Sequence, residues 1–117
     1  MSVKIYHNPR CSKSRQTLSL IEERGIQPEI VEYLIHPPNK SQLINILRQL
    51  GMKPRDLIRK NEPEYKQNNL DDTALTDEQL IEAMIQHPKL IERPIVVSNN
   101  KAVLGRPPEN VLEILSD

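Results

Sequence analysis

The sequence is short of residues that several kinds of function require. Its 117 residues include one cysteine, three tyrosines, no tryptophan and no phenylalanine. One cysteine cannot form an internal disulfide, which fits a reducing compartment and excludes a cysteine-cluster metal site. Sixteen basic residues are balanced by sixteen acidic ones. With so few aromatic residues, these totals indicate no nucleic-acid-binding surface.

Long apolar runs and metal-ligand spacing are also missing. No run approaches the roughly 20 apolar residues of a membrane span, and the N-terminus has no signal-peptide pattern. The histidines at positions 7, 36 and 87 are too far apart to suggest a metal site. We therefore expect a cytoplasmic monomer with no bound metal or cofactor and no membrane or nucleic-acid partner. The length predicts a single domain over residues 1–117.

The only cysteine lies where a predicted strand gives way to a predicted helix. Residues 3–6 are a short β-branched run, Asn8-Pro9 breaks it, and a helical pattern begins at Ser12, directly after Cys11. The first N–H groups of a helix lack intrahelical partners and, with the helix dipole, favour negative charge. A thiol at this position ionises more easily, and the same donors would bind an oxyanion.

Basic residues surround this cysteine. Arg10, Lys13 and Arg15 lie within four positions of Cys11, and cationic neighbours lower the pKa of a thiol. The alternative is a small, buried, inert cysteine, but such a residue would be expected within an apolar run. We therefore predict that Cys11 is a reactive thiolate.

The first third of the chain predicts a strand, a helix and a second strand. The helix runs from Ser12 to about Arg24 and ends at Gly25, and the second strand covers residues 29–34. Such a βαβ unit has parallel strands and a right-handed crossover.

Residues from about 39 to 92 predict a helical insertion. Pro54 can open a short helix through Arg59, and Thr76 begins a capping box that starts a longer helix. Residues 61–69 are polar and predicted to be irregular.

The last part of the chain predicts a β-hairpin and a short helix. Residues 94–97 and 102–104 flank Asn99-Asn100, which tolerates the positive φ angles of a tight turn. The final helix, residues 109–115, has three apolar residues on its predicted buried side: Val111, Leu112 and Leu115. The whole order is typical of an α/β, thioredoxin-like mixed β-sheet flanked by helices, here with an enlarged helical insertion.

Several segments carry a family pattern. They are residues 7–15, Tyr33-Leu34, residues 57–61, residues 86–97 and Gly105-Arg106-Pro107-Pro108. Together they resemble the ArsC-type arsenate reductases that depend on glutaredoxin and glutathione, in a shorter branch of that family. The best-known members carry Ala-Cys-Gly-Thr-Ser around the nucleophile, where this chain reads Arg10-Cys11-Ser12-Lys13-Ser14.

The resemblance implies an arsenate reductase active in arsenic detoxification. Cys11 would attack arsenate, and Arg59, Arg93 and Arg106 would hold the oxyanion and its adducts. Pro94 would be cis and face the cysteine. Glutathione as co-substrate and glutaredoxin as partner would supply the electrons, because a chain with one cysteine needs an external thiol.

The other residues of the cysteine loop are expected to support this chemistry. Ser14 lies where a Cys-x-x-Cys pair has its second cysteine, and it can only form hydrogen bonds. His7 either lowers the thiol pKa or is a plain loop histidine. The remaining supporting residues are Arg10, Ser12, Lys13 and Arg15.

Other functions remain open at this stage. The spacing from Cys11 to Arg15 is too short for the Cys-x5-Arg cradle of cysteine phosphatases. A regulator of the Spx type, which contacts RNA polymerase, has the same fold but commonly carries a Cys-x-x-Cys switch. A thiol oxidoreductase acting on another oxyanion is a further alternative. Ser14 and the set of arginines favour the enzyme.

Overall fold

The computed structural model describes residues 2–115. The chain divides into two compact units, one formed by residues up to 36 together with those from 93 onward, the other by residues 37–92. The second unit corresponds to the predicted helical insertion. The single-domain organisation of the whole chain stays a prediction.

A four-stranded mixed sheet forms the centre of the first unit. Its strands are β1 (Val3–His7), β2 (Glu29–Glu32), β3 (Ile95–Ser98) and β4 (Lys101–Leu104), arranged in the order β2-β1-β3-β4. β1 is parallel to β2 and antiparallel to β3, which is antiparallel to β4. The predicted parallel pair and hairpin are therefore both confirmed.

Helix α1 (Ser12–Glu23) follows β1, and the short helix α6 (Leu112–Leu115) follows a 3₁₀ turn, Pro108–Val111. These elements share one apolar core with the sheet. Its buried members are Val3, Ile5, Ile21, Val96, Val111, Ile114 and Leu115. Leu112, which was predicted on the buried side with Val111 and Leu115, is partly buried and packs against this core, and Ile114 is buried there as well.

The turns of the first unit use residues with positive φ. Gly25 has φ +74° after α1, and Asn99 and Asn100 have φ +54° and +63° between β3 and β4. Strand β2 is shorter than predicted, because the carbonyl of Glu32 accepts hydrogen bonds from the N–H groups of Ile35 and His36 and the chain turns there.

The second unit is mostly helical. It contains α2 (Lys40–Leu50), α3 (Pro54–Leu57), α4 (Pro63–Gln67), α5 (Asp77–Gln86) and a 3₁₀ turn, Pro88–Leu90. Capping boxes at Asn39 and Thr76 start α2 and α5, because each side chain satisfies a backbone N–H that has no partner within the helix.

Two expectations for this unit needed correction. Residues 61–69 are not irregular throughout, since Pro63 occupies the first position of α4 and Tyr65 buries its ring. The short helix opened by Pro54 ends at Leu57 rather than Arg59, because Ile58 is extended and pairs with Ile91 in an isolated β-bridge.

Candidate active site

Cys11 is the N-cap residue of α1. Its backbone is extended, with φ −96° and ψ 123°. Its N–H donates to the carbonyl of Asn8 at 3.0 Å, and its own carbonyl accepts from Arg15 N–H at 3.0 Å. The turn that ends β1 and the first turn of α1 thus fix the cysteine at the helix start, as predicted.

The thiol of Cys11 has a lowered pKa. Burial is the largest single influence and raises the pKa, because it disfavours a charged sulfur. The N–H of Ser14, the hydrogen bond and charge of Arg93, and the N–H of Lys13 together outweigh burial and lower the pKa below its ordinary value. These N–H groups act on the sulfur without forming the regular side-chain hydrogen bond of a helix cap. More of the sulfur is therefore thiolate at neutral pH than in an ordinary cysteine.

The cation that lowers the Cys11 pKa is not one of its sequence neighbours. Lys13 acts through its backbone N–H, while Arg10 and Arg15 are not among the groups that shift this pKa. Arg15 instead donates from Nη1 to the carbonyl of Pro9 at 3.0 Å and braces the loop. The expectation that these three side chains lower the pKa by their charge was wrong, because Arg93 provides it.

Arg93 lies just before β3 and Arg106 just after β4, so the two residues mark the start and the end of the hairpin segment. Antiparallel pairing of Ile95 with Leu104 brings these ends together. Arg106 Nη1 donates to the carbonyl of Arg93 at 3.1 Å and lies 4.0 Å from Cys11 Sγ. The hairpin thus places two guanidinium groups beside the sulfur, one exposed and one half-buried.

Pro94 and Gly105 hold this hairpin close to α1. The Arg93–Pro94 peptide bond is cis, as expected, and the Arg106–Pro107 bond is also cis. Gly105 N–H donates to the carbonyl of Pro94 at 3.0 Å. A Cβ on Gly105 would overlap the Thr17 side chain and come within 2.8 Å of Pro94 Cγ, so only glycine fits at this position.

Thr17 is a site-supporting residue that the sequence analysis missed. It is fully buried, and Thr17 Oγ1 donates to the carbonyls of Lys13 at 2.8 Å and Gly105 at 3.4 Å. Ser14, Thr17 and Ile21 form the buried face of α1. The sequence held one signal for this role: Ser14 and Thr17 place two hydroxyl groups at the cysteine end of the buried face of α1, where a hydroxyl group can hydrogen-bond to backbone.

Contacts among three residues also support the loop that carries the cysteine: His7, Asn8 and Ser14. His7 Nδ1 lies 2.6 Å from Ser14 Oγ, which also accepts from Asn8 N–H at 3.1 Å. Both His7 and Ser14 are buried. His7 is not among the groups found to shift the Cys11 pKa, and its contact with the loop is the one with Ser14.

Burial lowers the pKa of His7, and Arg15 lowers it further, while the carboxylates of Glu32 and Glu22 oppose the shift. Burial is the largest of these effects, because a charged imidazole loses hydration. His7 is therefore neutral at pH 7.

Arg59 lies in the second unit. Its N–H donates to the carbonyl of Leu90 at 2.7 Å, next to the bridge between Ile58 and Ile91. Its guanidinium pairs with Glu92 at 2.6 Å and with Glu62 at 3.4 Å. Two carboxylates thus fix the side chain, and its place among the oxyanion-binding arginines stays a prediction.

Within residues 2–115, no cluster of three or more histidine, cysteine, aspartate or glutamate side chains has the arrangement to hold a metal ion. None of the helices described there has the length and apolar character needed to cross a bilayer.

The fold and the site define a class: a thioredoxin-like protein in which one cysteine, activated at a helix start, lies beside two arginines. A sequence model of the ArsC family matches residues 6–114. The chain therefore belongs to the ArsC family.

Individual relatives cover nearly the whole chain. An arsenate reductase from Haemophilus influenzae is 50% identical over 116 residues, which is 98% of this chain and 100% of that protein. The Escherichia coli K12 protein YfgD, described as uncharacterised, is 57% identical over 114 residues, covering 97% of this chain and 96% of its own. The solved structure of an arsenate reductase from Vibrio cholerae is 54% identical and covers 97% of this chain and 98% of its own, with a TM-score of 0.95.

Proposed function

We propose that this protein reduces arsenate to arsenite, with Cys11 as the nucleophile and with glutathione and glutaredoxin as the source of electrons. One observation carries the proposal: a thiol of lowered pKa lies 4.0 Å from Arg106 Nη1 and is hydrogen-bonded by Arg93. The names of similar proteins support arsenate as the oxyanion.

Binding is an electrostatic problem, since arsenate is an anion and a thiolate repels it. Arginines offset that repulsion because a guanidinium group stays charged at all relevant pH values. Each also presents forked N–H donors to paired oxygens, which an ammonium group cannot do. Arg93 and Arg106 would hold the oxygens of arsenate while the sulfur of Cys11 approaches the arsenic. Arg59 is proposed as the third arginine.

The first chemical step forms a sulfur–arsenic bond. The Cys11 thiolate attacks arsenic, one arsenic–oxygen bond breaks, and the departing oxygen takes up protons and leaves as water. Arsenic is still pentavalent in this adduct. The N–H groups of Ser14 and Lys13, which stabilise the thiolate, lie at the positive end of the α1 dipole and would favour the anionic adduct as well.

The second step transfers two electrons. The thiolate of glutathione attacks the sulfur of Cys11, a sulfur–sulfur bond forms, and the sulfur–arsenic bond breaks with its electron pair left on arsenic. Arsenite leaves, and Cys11 remains in a mixed disulfide. Ser14 cannot resolve this disulfide because it has no thiol, so a glutaredoxin thiol must attack it and return Cys11 as thiolate.

A coupled assay tests the proposal. Arsenate-dependent consumption of NADPH is measured with glutathione, glutaredoxin and glutathione reductase present, for the wild type and for Cys11→Ser. We expect turnover only in the wild type and only when all components are present. Turnover by Cys11→Ser, or equal NADPH consumption without arsenate, would overturn it.

Trapping identifies the intermediate. With arsenate and glutathione but no glutaredoxin, intact-mass spectrometry should show one glutathione on Cys11 and none on Cys11→Ala. Turnover should resume when glutaredoxin is added. Full multiple turnover with no external thiol would contradict the mechanism.

The regulatory alternative is disfavoured by Ser14. A thiol switch of the Cys-x-x-Cys type needs a second sulfur, and here Ser14 Oγ is instead engaged with His7 and Asn8. Co-purification with RNA polymerase in the absence of any arsenate-dependent turnover would favour the regulator.

A further inference from the structure

A pocket opens beside the cysteine loop and plays no part in the chemistry described so far. It has a volume of about 340 Å³ and is lined by residues 7–10, by Glu32 at the end of β2, and by Leu34 and Ile35 in the following turn. Arg10 directly precedes Cys11, and consecutive Cα atoms are about 3.8 Å apart. The wall of this pocket therefore begins one residue from the nucleophile.

Two opposite charges line this pocket. Arg10 is exposed, and its side chain makes no hydrogen bond or ion pair with any other residue between 2 and 115. Glu32 is also exposed, and its charge acts on His7, which lines the same pocket. A site that offers one guanidinium and one carboxylate is complementary to a zwitterion, which carries a carboxylate and an ammonium group on one carbon.

The rest of the pocket is preorganised and partly apolar. Asn8 Oδ1 accepts a hydrogen bond from Arg10 N–H at 3.0 Å, and Asn8 N–H donates to the buried Ser14 hydroxyl at 3.1 Å. Leu34 and Ile35 are 39% and 67% exposed, so an apolar surface lies next to the charges. Methylene groups that join a zwitterion to a thiol would cover that surface.

We propose that this pocket binds the γ-glutamyl end of glutathione while its sulfur bonds to Cys11. Arg10 would bind the α-carboxylate, Glu32 the α-ammonium, and the turn after β2 the methylene groups. The inference rests on the proposed function, which makes glutathione the co-substrate. It gives glutathione a binding site separate from the arginines that would hold the oxyanion.

Thiol–disulfide exchange tests this without arsenate. The Cys11 thiolate attacks one sulfur of a symmetric disulfide, a bond forms between Cys11 and that half, and the other half leaves as thiolate. Rates of mixed-disulfide formation are followed by intact-mass spectrometry. Four probes are used: oxidised glutathione, bis-γ-glutamylcystine, cystinyl-bis-glycine and 2-hydroxyethyl disulfide. Only the first two carry the γ-glutamyl group.

Arg10→Ala should slow exchange with the two γ-glutamyl probes by roughly fivefold and leave the other two within a factor of two. Any effect of the variant on the thiol pKa would change all four rates alike, so the ratio between probes isolates binding. Lys101→Ala removes an equal charge from the first residue of β4 and should leave all four rates unchanged. Equal slowing with all probes would overturn the proposal.

Glu32→Gln tests whether Glu32 repels glutathione or binds it. If Glu32 only repels the anionic glutathione, its removal should accelerate exchange. If it binds the ammonium group, Glu32→Gln should slow exchange with γ-glutamyl probes by a few-fold. Glu29→Gln, at an exposed position of the same strand outside the pocket, should lack this slowing. Acceleration in Glu32→Gln would contradict the inference.

Each of the two proposals can be rejected independently of the other. Probe selectivity that depends on Arg10 and Glu32, in a protein that does not reduce arsenate, would sustain the pocket and reject the enzyme. Arsenate reduction in a wild type that exchanges at the same rate with all four probes would sustain the enzyme and reject the pocket.

Discussion

At Cys11, burial and hydrogen bonding act on the sulfur in opposite directions, and hydrogen bonding prevails. The alkylation rate of Cys11 plotted against pH should therefore inflect at a lower pH than that of a free thiol measured under the same conditions. Arg93→Ala should move the inflection upward, because it removes a hydrogen bond and a charge from the thiolate. Arg10→Ala is the matched control and should leave it in place. An inflection unmoved by Arg93→Ala would show that Arg93 does not stabilise the thiolate.

The geometry of the arginines matters beyond their charge. Arg93→Lys and Arg106→Lys keep the charge but lose the fork that pairs with two oxygens. We expect each to lower kcat/KM for arsenate by roughly tenfold or more, as for the loss of a hydrogen bond to a charged group, with an unchanged circular dichroism spectrum. If both variants turn over like the wild type, these residues do not bind the oxyanion.

At the scale of elements, the hairpin bearing the arginines depends on its close approach to α1. Gly105→Ala should displace the loop that carries Arg106, because the added Cβ would overlap Thr17 and Pro94. We expect lower arsenate-reducing activity and a loss of stability of about 1–3 kcal/mol, typical of overpacking. Both are measured by the coupled assay and by urea unfolding.

Thr17→Ala tests whether overlap with Thr17 causes the loss in Gly105→Ala. Two of the three atoms nearest to the added Cβ belong to Thr17, so Thr17→Ala should recover part of the loss when combined with Gly105→Ala. Fully additive effects would instead show that the two residues do not interact through this contact.

Most element types follow from local sequence, whereas their ends depend on packing. The cap at Thr76 and the Asn99-Asn100 turn were predicted because each residue acts on its own backbone. Helix α4 was missed because its sequence is polar and its stability comes from burying Tyr65, a tertiary effect. Strand β2 ends early for a similar reason, since its edge position leaves the chain free to turn at Glu32.

The candidate site was predictable in its nucleophile but not in its surroundings. The helix start at Ser12 predicted Cys11 as a thiolate from local chemistry alone. The cation beside it is distant in sequence, and only the family resemblance pointed to Arg93. Thr17 was missed, because its hydrogen bond to Gly105 exists only once the hairpin has folded against α1.

At the scale of the whole molecule, His7 links stability to pH. Its pKa is lowered in the folded protein, so the unfolded chain binds a proton there more readily. The stability contributed by neutral His7 is fully present above the unfolded value of about 6.5 and is lost as the pH falls through the lowered pKa. Urea unfolding at about pH 7.5 and about pH 5 should show a larger loss in the wild type than in His7→Asn. An equal loss in both would remove His7 as the cause.

The position of Cys11 at the start of α1 also affects how the sulfur is released. The N–H groups and the guanidinium that lower its pKa stabilise only the free anion, and a sulfur in a covalent bond loses most of that stabilisation. A thiol of low pKa is a good leaving group as well as a nucleophile. In a mixed disulfide on Cys11, an incoming thiol is therefore favoured to attack the foreign sulfur and to release Cys11 as thiolate. The same helix start that activates the sulfur for attack thus determines which sulfur of its disulfide is attacked.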